Sequence, residues 1–151
     1  MQLLTSVLSV IAPHECLACS SEGSLLCVRC MNMQHAALPR CYRCHGRFVG
    51  FDTCTRCREV SPLQSVAATC AYKGIPKQLI WKLKFGRAAA AAQDCARAMA
   101  PLLPIDTTGR LLITHVPTAT SRERQRGYDQ AALMARAIAR RADVPYTSLL
   151  R

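Results

Sequence analysis

The chain has 151 residues with 20 Lys+Arg against 9 Asp+Glu, ten cysteines, half hydrophobic residues and only 5% aromatics. That length makes one domain, or a small domain with part of another, and the composition excludes a disordered chain. No apolar run approaches the ~18 residues of a membrane span. The formal charge of +11 suits an anionic partner, either nucleic acid or a phosphorylated small molecule. It is unevenly spread: residues 1–60 hold six basic and four acidic side chains (+2), and residues 61–151 hold fourteen and five (+9).

In chain order, Leu3, Leu4, Val7, Leu8 and Ile11 predict a short amphipathic helix over residues 2–11, stopped by Pro13. No Lys or Arg precedes this stretch, unlike the basic start of a secretory signal. A reduced, cytoplasmic location is therefore expected, and there repeated Cys-x-x-Cys means metal.

Four such units follow: Cys16/Cys19, Cys27/Cys30, Cys41/Cys44 and Cys54/Cys57, with seven, ten and nine residues between them. Two residues between thiolates let a tight turn aim both sulfurs at one ion, so two units complete a tetrahedron. Eight thiolates make two closed sites that hold structure, with no position left for catalytic water. Zinc is the expected metal, with a four-cysteine iron–sulfur cluster as the alternative. Short gaps containing Gly23, Gly46 and Gly50 suit the hairpins of a double zinc ribbon. Sequential pairing (16, 19, 27, 30 and 41, 44, 54, 57) closes shorter loops than cross-braced pairing (16, 19, 41, 44 and 27, 30, 54, 57), at lower entropic cost. His45 is read as an ordinary loop residue beside Cys44. Arg29, Arg43 and Arg56, inside three of the units, can offset thiolate charge or contact nucleic acid. Each zinc with four thiolates carries −2, so zinc takes the formal +11 to about +7 and residues 1–60 to about −2.

After Pro62 the pattern alternates between strand-like and helix-like stretches, as an α/β unit does. Residues 66–72 predict a buried strand. A helix over residues 76–85 puts Ile75, Leu79, Ile80 and Leu83 on one face, and an Ala-rich helix spans 87–100. Residues 111–116 form the best strand of the chain, and residues 128–141 repeat as a helix. Strand, helix, helix, strand, helix implies a parallel sheet with right-handed crossovers. Cys70 and Cys95 are read as buried structural thiols. Between the last strand and helix, residues 118–127 form a loop bearing Thr118, Arg122, Arg124, Arg126 and Gly127. Loops at the carboxyl ends of parallel strands bind ligands, and arginine forks with backbone N–H groups recognise phosphate. The organisation expected is residues 1–60, helix and ribbon, then residues 61–151, α/β.

The ribbon, then Leu79-Ile-Trp-Lys-Leu-Lys-Phe-Gly86, Ile113-Thr-His-Val-Pro117 and Arg122-Glu-Arg-Gln-Arg-Gly-Tyr-Asp-Gln130 before an Ala/Leu-rich helix, strongly resemble the ComF family. The resemblance runs from the N-terminal helix to about Arg141. It implies a double zinc ribbon followed by the N-terminal part of a type I phosphoribosyltransferase-like parallel sheet. The implied ligand is phosphoribosyl pyrophosphate (PRPP) with magnesium in a full-length form, and the implied process is DNA uptake in natural transformation, with competence proteins or single-stranded DNA as partners. Lys84 and Arg126 become candidate contacts at the pyrophosphate end. Where the family usually has Arg-Gly-Phe-Asn-Gln, this chain has Tyr128 and Asp129 in place of Phe and Asn. The family's PRPP loop also carries two adjacent carboxylates, and this sequence has none adjacent. Asp106-Thr107-Thr108-Gly109 imitates it but precedes the strand, whereas a phosphate cradle follows a strand and opens a helix. The 151 residues are thus expected to be a fragment and a poor transferase. A nucleic-acid-binding or protein-interaction module without transferase activity is the alternative, although few aromatics argue against a large base-stacking platform.

Overall fold

The computed structural model describes residues 14–48, 50–104 and 109–150. The helix expected over residues 2–11 and the Asp106–Thr108 part of the PRPP-loop imitation lie outside them. Two compact units form: residues 35–71, and a second uniting the chain through Gln34 with residues 72 onward. This division departs from the organisation expected from the sequence, because the first cysteine cluster shares a core with the helices that follow residue 72.

In the unit of residues 35–71, a turn at residues 42–44 brings Arg40 opposite Arg47 in an antiparallel bridge, and a short helix follows at Thr55–Arg58. Asp52 pairs with Ser65, and the Thr53 N–H donates to Gln64 O at 2.8 Å. The buried Thr53 hydroxyl donates to Leu63 O at 2.7 Å, satisfying its polar atom away from water. Cys70 pairs with Ala36 and the Ala37 N–H donates to Thr69 O at 3.2 Å, closing the ends of the unit. The stretch expected as a buried strand of a parallel sheet is therefore antiparallel to residue 36, and Val66 is 40% exposed. Cys70 is half-buried and accepts a hydrogen bond from Thr69 Oγ1.

We number the helices in chain order: α1 Val28–Asn32, α2 Thr55–Arg58, α3 Gly74–Phe85, α4 Ala91–Met99, α5 Thr120–Arg126 and α6 Gln130–Ala142, with a 3-10 turn Ala100–Leu102 after α4. Helix α3 buries Leu79 and Leu83, with Ile75 and Ile80 packed alongside, as the spacing predicts. Burying each leucine stabilises the unit by roughly 1.5–3 kcal/mol. Helix α4 starts four residues later than expected, after a turn with Arg87 at φ 52. Its small Ala91, Ala92 and Ala96 are fully buried, and it packs on α6 through Ala96, Ala137 and Ile138.

Among the described residues there is no multi-residue strand, so the parallel sheet expected is not formed there; the pairings are isolated bridges. One of them is parallel: Ile113 pairs with Tyr146, the Ile113 N–H donating to Pro145 O at 2.9 Å and the Thr147 N–H to Ile113 O at 3.0 Å. The ladder stops on both sides for local reasons. Pro145 has no N–H to offer the next position. On the other side the Leu149 N–H goes to the Thr114 hydroxyl at 3.3 Å. Residues 118–127, expected as a loop, form α5, because Glu123 accepts the Gly127 N–H at 2.8 Å and Gly127, at φ 83, supplies the left-handed cap.

Candidate metal centres and a candidate anion-binding corner

Cys16, Cys19, Cys27 and Cys30 converge with all sulfurs within 4.8 Å of one another, and Cys41, Cys44, Cys54 and Cys57 do the same. Of the two pairings open from the sequence, the sequential one is the one formed. Each cluster is built alike. The first two cysteines sit on a tight turn: the Ser20 N–H donates to Cys16 O at 2.8 Å, and in the second cluster the His45 N–H donates to Cys41 O at 2.9 Å. Ser20 and His45 take positive φ values, 58 and 59, at these turns, and Gly23 and Gly50 take 102 and 71 in the gaps that follow. The last two cysteines open a helix, with Cys27 as N-cap of α1 and Cys54 as N-cap of α2. Each site is thus a turn closed by an antiparallel bridge, Glu15 with Glu22 and Arg40 with Arg47, plus a helix start, and the two clusters are consistent with the double zinc ribbon expected. His45 is exposed and outside the cluster, as expected.

The geometry fits zinc. Cys19 Sγ lies 3.8 Å from Cys27 Sγ, and Cys44 Sγ lies 3.8 Å from Cys54 Sγ. A tetrahedron with Zn–S bonds of ~2.3 Å has edges of about 3.8 Å. Burial raises the Cys16 thiol, but the backbone N–H groups of Cys27, Ala18 and Cys19 outweigh it and draw the pKa down to about 6. The N–H groups of Cys44 and Cys54 likewise draw Cys41 down to about 6. Crowding by the Cys19 and Cys27 sulfurs pushes Cys30 up to about 12, and burial followed by Cys54 pushes Cys57 up to about 12. Four sulfurs in such proximity need a cation before all of them ionise, so these are two four-cysteine sites compatible with two structural zinc ions. Arg43 donates to Val60 O at 2.9 Å, while Arg29 and Arg56 are exposed on α1 and α2.

The first site is anchored by two residues that sequence reasoning passed over. Asp94 on α4, 3% exposed, accepts the Leu26 N–H at 3.1 Å and pairs with Arg97 at 2.9 Å. Arg97 in turn donates to Leu26 O at 3.3 Å. The pair thus holds both backbone polar groups of the residue before Cys27. An acid and a base three residues apart on an Ala-rich helix were visible in the sequence, but their backbone target was not. Cys95, next to Asp94, is buried as expected.

Of the other candidate residues, Arg126 reaches the end of α3, together with its neighbour Tyr128. Tyr128 Oη donates to Leu83 O at 2.6 Å, and the Arg126 guanidinium lies 5.3 Å from the centre of the Phe85 ring. Arg126 Nη1 also donates to Gln130 Oε1 at 2.7 Å, while its Nε is buried with no protein hydrogen-bond partner. Lys84 is half-buried between the two contacted residues Leu83 and Phe85. Arg122 and Arg124 are exposed on α5 and do not join this cluster. Gly127 caps α5.

Thr118 is held from the far side of α5. Its N–H donates to Asp129 Oδ2 at 2.8 Å and its hydroxyl to Oδ1 at 3.1 Å. Asp129 is also the N-cap of α6, accepting the N–H groups of Ala131 and Ala132 at 2.8 and 3.0 Å. Its burial opposes ionisation, but the Thr118 and Ala132 N–H groups, the Thr118 hydroxyl and the Ala131 N–H outweigh it, so the carboxyl sits below its usual range. His115 Nε2 lies 3.7 Å from Asp129 Oδ2, and its Nδ1 is 3.0 Å from Tyr146 Oη. Asp129 was read in the sequence as an early helix acid; that it also closes residues 118–129 into a ring was not readable there.

No family model, curated protein or solved structure matches the chain.

Proposed function

We propose that the chain is a ComF-type, phosphoribosyltransferase-like protein whose two zinc ions are structural and whose Lys84/Arg126 corner receives a diphosphate. Support comes from one observation above all. The Leu83–Phe85 and Arg126–Tyr128 segments, parts of two of the three motifs that carry the resemblance, lie far apart in sequence yet meet through the Tyr128–Leu83 hydrogen bond and the Arg126–Phe85 contact. The partnerless buried Nε of Arg126 adds a donor that a phosphate oxygen would satisfy. The parallel Ile113–Tyr146 bridge is compatible with a strand–helix–strand crossover around the same residues. Magnesium and PRPP would be the ligands.

Calorimetric titration of inorganic pyrophosphate and of PRPP, each with magnesium, tests the reading. Both are expected to bind with affinities equal within about threefold, because no adjacent carboxylates are present to hold the ribose hydroxyls. Arg126→Ala should weaken both by about tenfold or more. Absence of pyrophosphate binding at millimolar concentration sinks the proposal, and PRPP binding far tighter than pyrophosphate refutes the missing-loop reading.

A second reading, nucleic-acid binding without transferase activity, is favoured by the outer face of α3. Trp81 and Phe85 are 54% and 60% exposed with ring centres 5.8 Å apart, and Lys77, Lys82 and Lys84 share their helix. No carboxylate occurs between Glu59 and Asp94. Bases stack on such rings while phosphates meet the lysines. Single-stranded DNA should then bind with a strong salt dependence that Trp81→Ala weakens; no binding at low salt removes this reading.

A further inference from the structure

The two metal sites look like copies, but their surroundings differ. We infer that the first site is a structural part of the helical unit and controls the order of the Lys84/Arg126 corner, whereas the second stabilises residues 35–71 alone.

Three links carry the inference. Cys16, Cys30, Leu25 and Leu26 form one continuous buried cluster with Leu79 and Leu83 of α3 and with Ala91, Ala92 and Cys95 of α4. The Asp94–Arg97 pair ties α4 to both backbone groups of Leu26, one residue before the Cys27 ligand. Tyr128 packs against the same cluster and donates its hydroxyl to Leu83 O, so the chain that carries Arg126 is fastened to α3 at the point where the cluster ends. Losing the first metal frees residues 16–30, uncovers Leu79 and Leu83, and removes the support on which Tyr128 rests. Closely packed cores transmit such a loss because the neighbours have no alternative packing. The bonds that hold the second site come from its own unit: the Cys41 N–H to Gly46 O, Arg43 to Val60 O, and Thr53 to Gln64 and Leu63. The inference does not depend on what the corner binds.

Cys19 and Cys44 make a matched pair for the test, since both are exposed and occupy the same place in their clusters, so serine removes a metal ligand with little change in packing. Cys19→Ser and Cys44→Ser are prepared in the full chain, zinc content is measured, and amide hydrogen exchange is read by segment. Cys19→Ser should speed exchange over residues 79–99 and 126–135 on the order of tenfold or more while residues 41–66 keep their protection. Cys44→Ser should do the reverse. Equal acceleration of both regions by either variant, including global loss of protection in Cys19→Ser, overturns the inference. Asp94→Asn, which keeps all eight cysteines, provides an independent arm. It should retain two zinc ions per chain yet speed exchange in residues 16–30 and 91–99, and unchanged exchange there also overturns the inference.

Discussion

Replacing Asp94 by alanine is the most informative perturbation of stability. The carboxylate is almost fully buried and makes two interactions at once, with the Leu26 N–H at 3.1 Å and with Arg97 at 2.9 Å. Leaving the Leu26 N–H without its partner inside the core costs about 1–3 kcal/mol. Removing one member of a fully buried ion pair costs ~3–5 kcal/mol, because the other charge is left unpaired. The Arg97 side chain is 25% exposed, so water recovers part of that loss. The expected total is about 3 kcal/mol, which denaturant unfolding of the zinc-loaded protein measures directly. A second readout locates the damage: thiol alkylation under chelator, followed by mass spectrometry, should show residues 16–30 reacting sooner in the variant and residues 41–57 unchanged. A loss below about 1 kcal/mol, or equal acceleration at both sites, would refute the assignment of Asp94 as the anchor of the first site.

Gly127→Ala should cost about 1 kcal/mol, because the added Cβ meets nothing within 4 Å and the whole penalty is the strain of φ 83 on an L side chain; a neutral effect in thermal unfolding would contradict this. Zinc affinity should fall as pH is lowered from 8 to 6, since Cys30 and Cys57, pushed up to about 12 without metal, must release protons to bind it, and competition with a chromophoric chelator checks the direction. Asp129, held below the usual carboxylate range, contributes stability that is full above its unfolded pKa of ~3.9 and is lost as pH falls through the lower folded value. Asp129→Asn should flatten the acid limb of the stability–pH curve and cost about 1–2 kcal/mol at pH 7, because an amide offers one acceptor oxygen where five bonds or contacts now converge. X-ray absorption of the purified protein should give four sulfur neighbours per zinc at ~2.3 Å, and any nitrogen or water ligand would contradict the closed sites.

Some features were legible because they are local. Cys-x-x-Cys spacing alone brings two sulfurs together, so the eight cysteines of both clusters were readable while their pairing stayed open until the fold was seen, and the hydrophobic rows of α3 and α6 indicated their buried faces. Residues 66–72 show the opposite case. Their apolar run reads as a buried strand, but the partner that decides its role, Ala36, lies on the far side of two cysteine units, and that pairing leaves Val66 exposed. The loop expected at residues 118–127 was misread for a different reason. Basic and polar residues mark a ligand loop, yet Arg, Glu and Gln are also good helix formers, and the Gly127 cap completes α5.

By itself, then, the sequence determined the eight cysteines of the two candidate metal sites, the placement of the positive charge in the second half, and the motifs behind the proposed function. Tertiary structure decided which cysteine cluster joins which unit, that Asp94 and Arg97 grip Leu26, and that Arg126 and Tyr128 reach the end of α3 at Phe85 and Leu83. The physical reason is separation along the chain. Ligand spacing and helical periodicity act over a few residues, whereas the Asp94–Leu26 and Tyr128–Leu83 bonds span 68 and 45 residues and exist only once the core has packed.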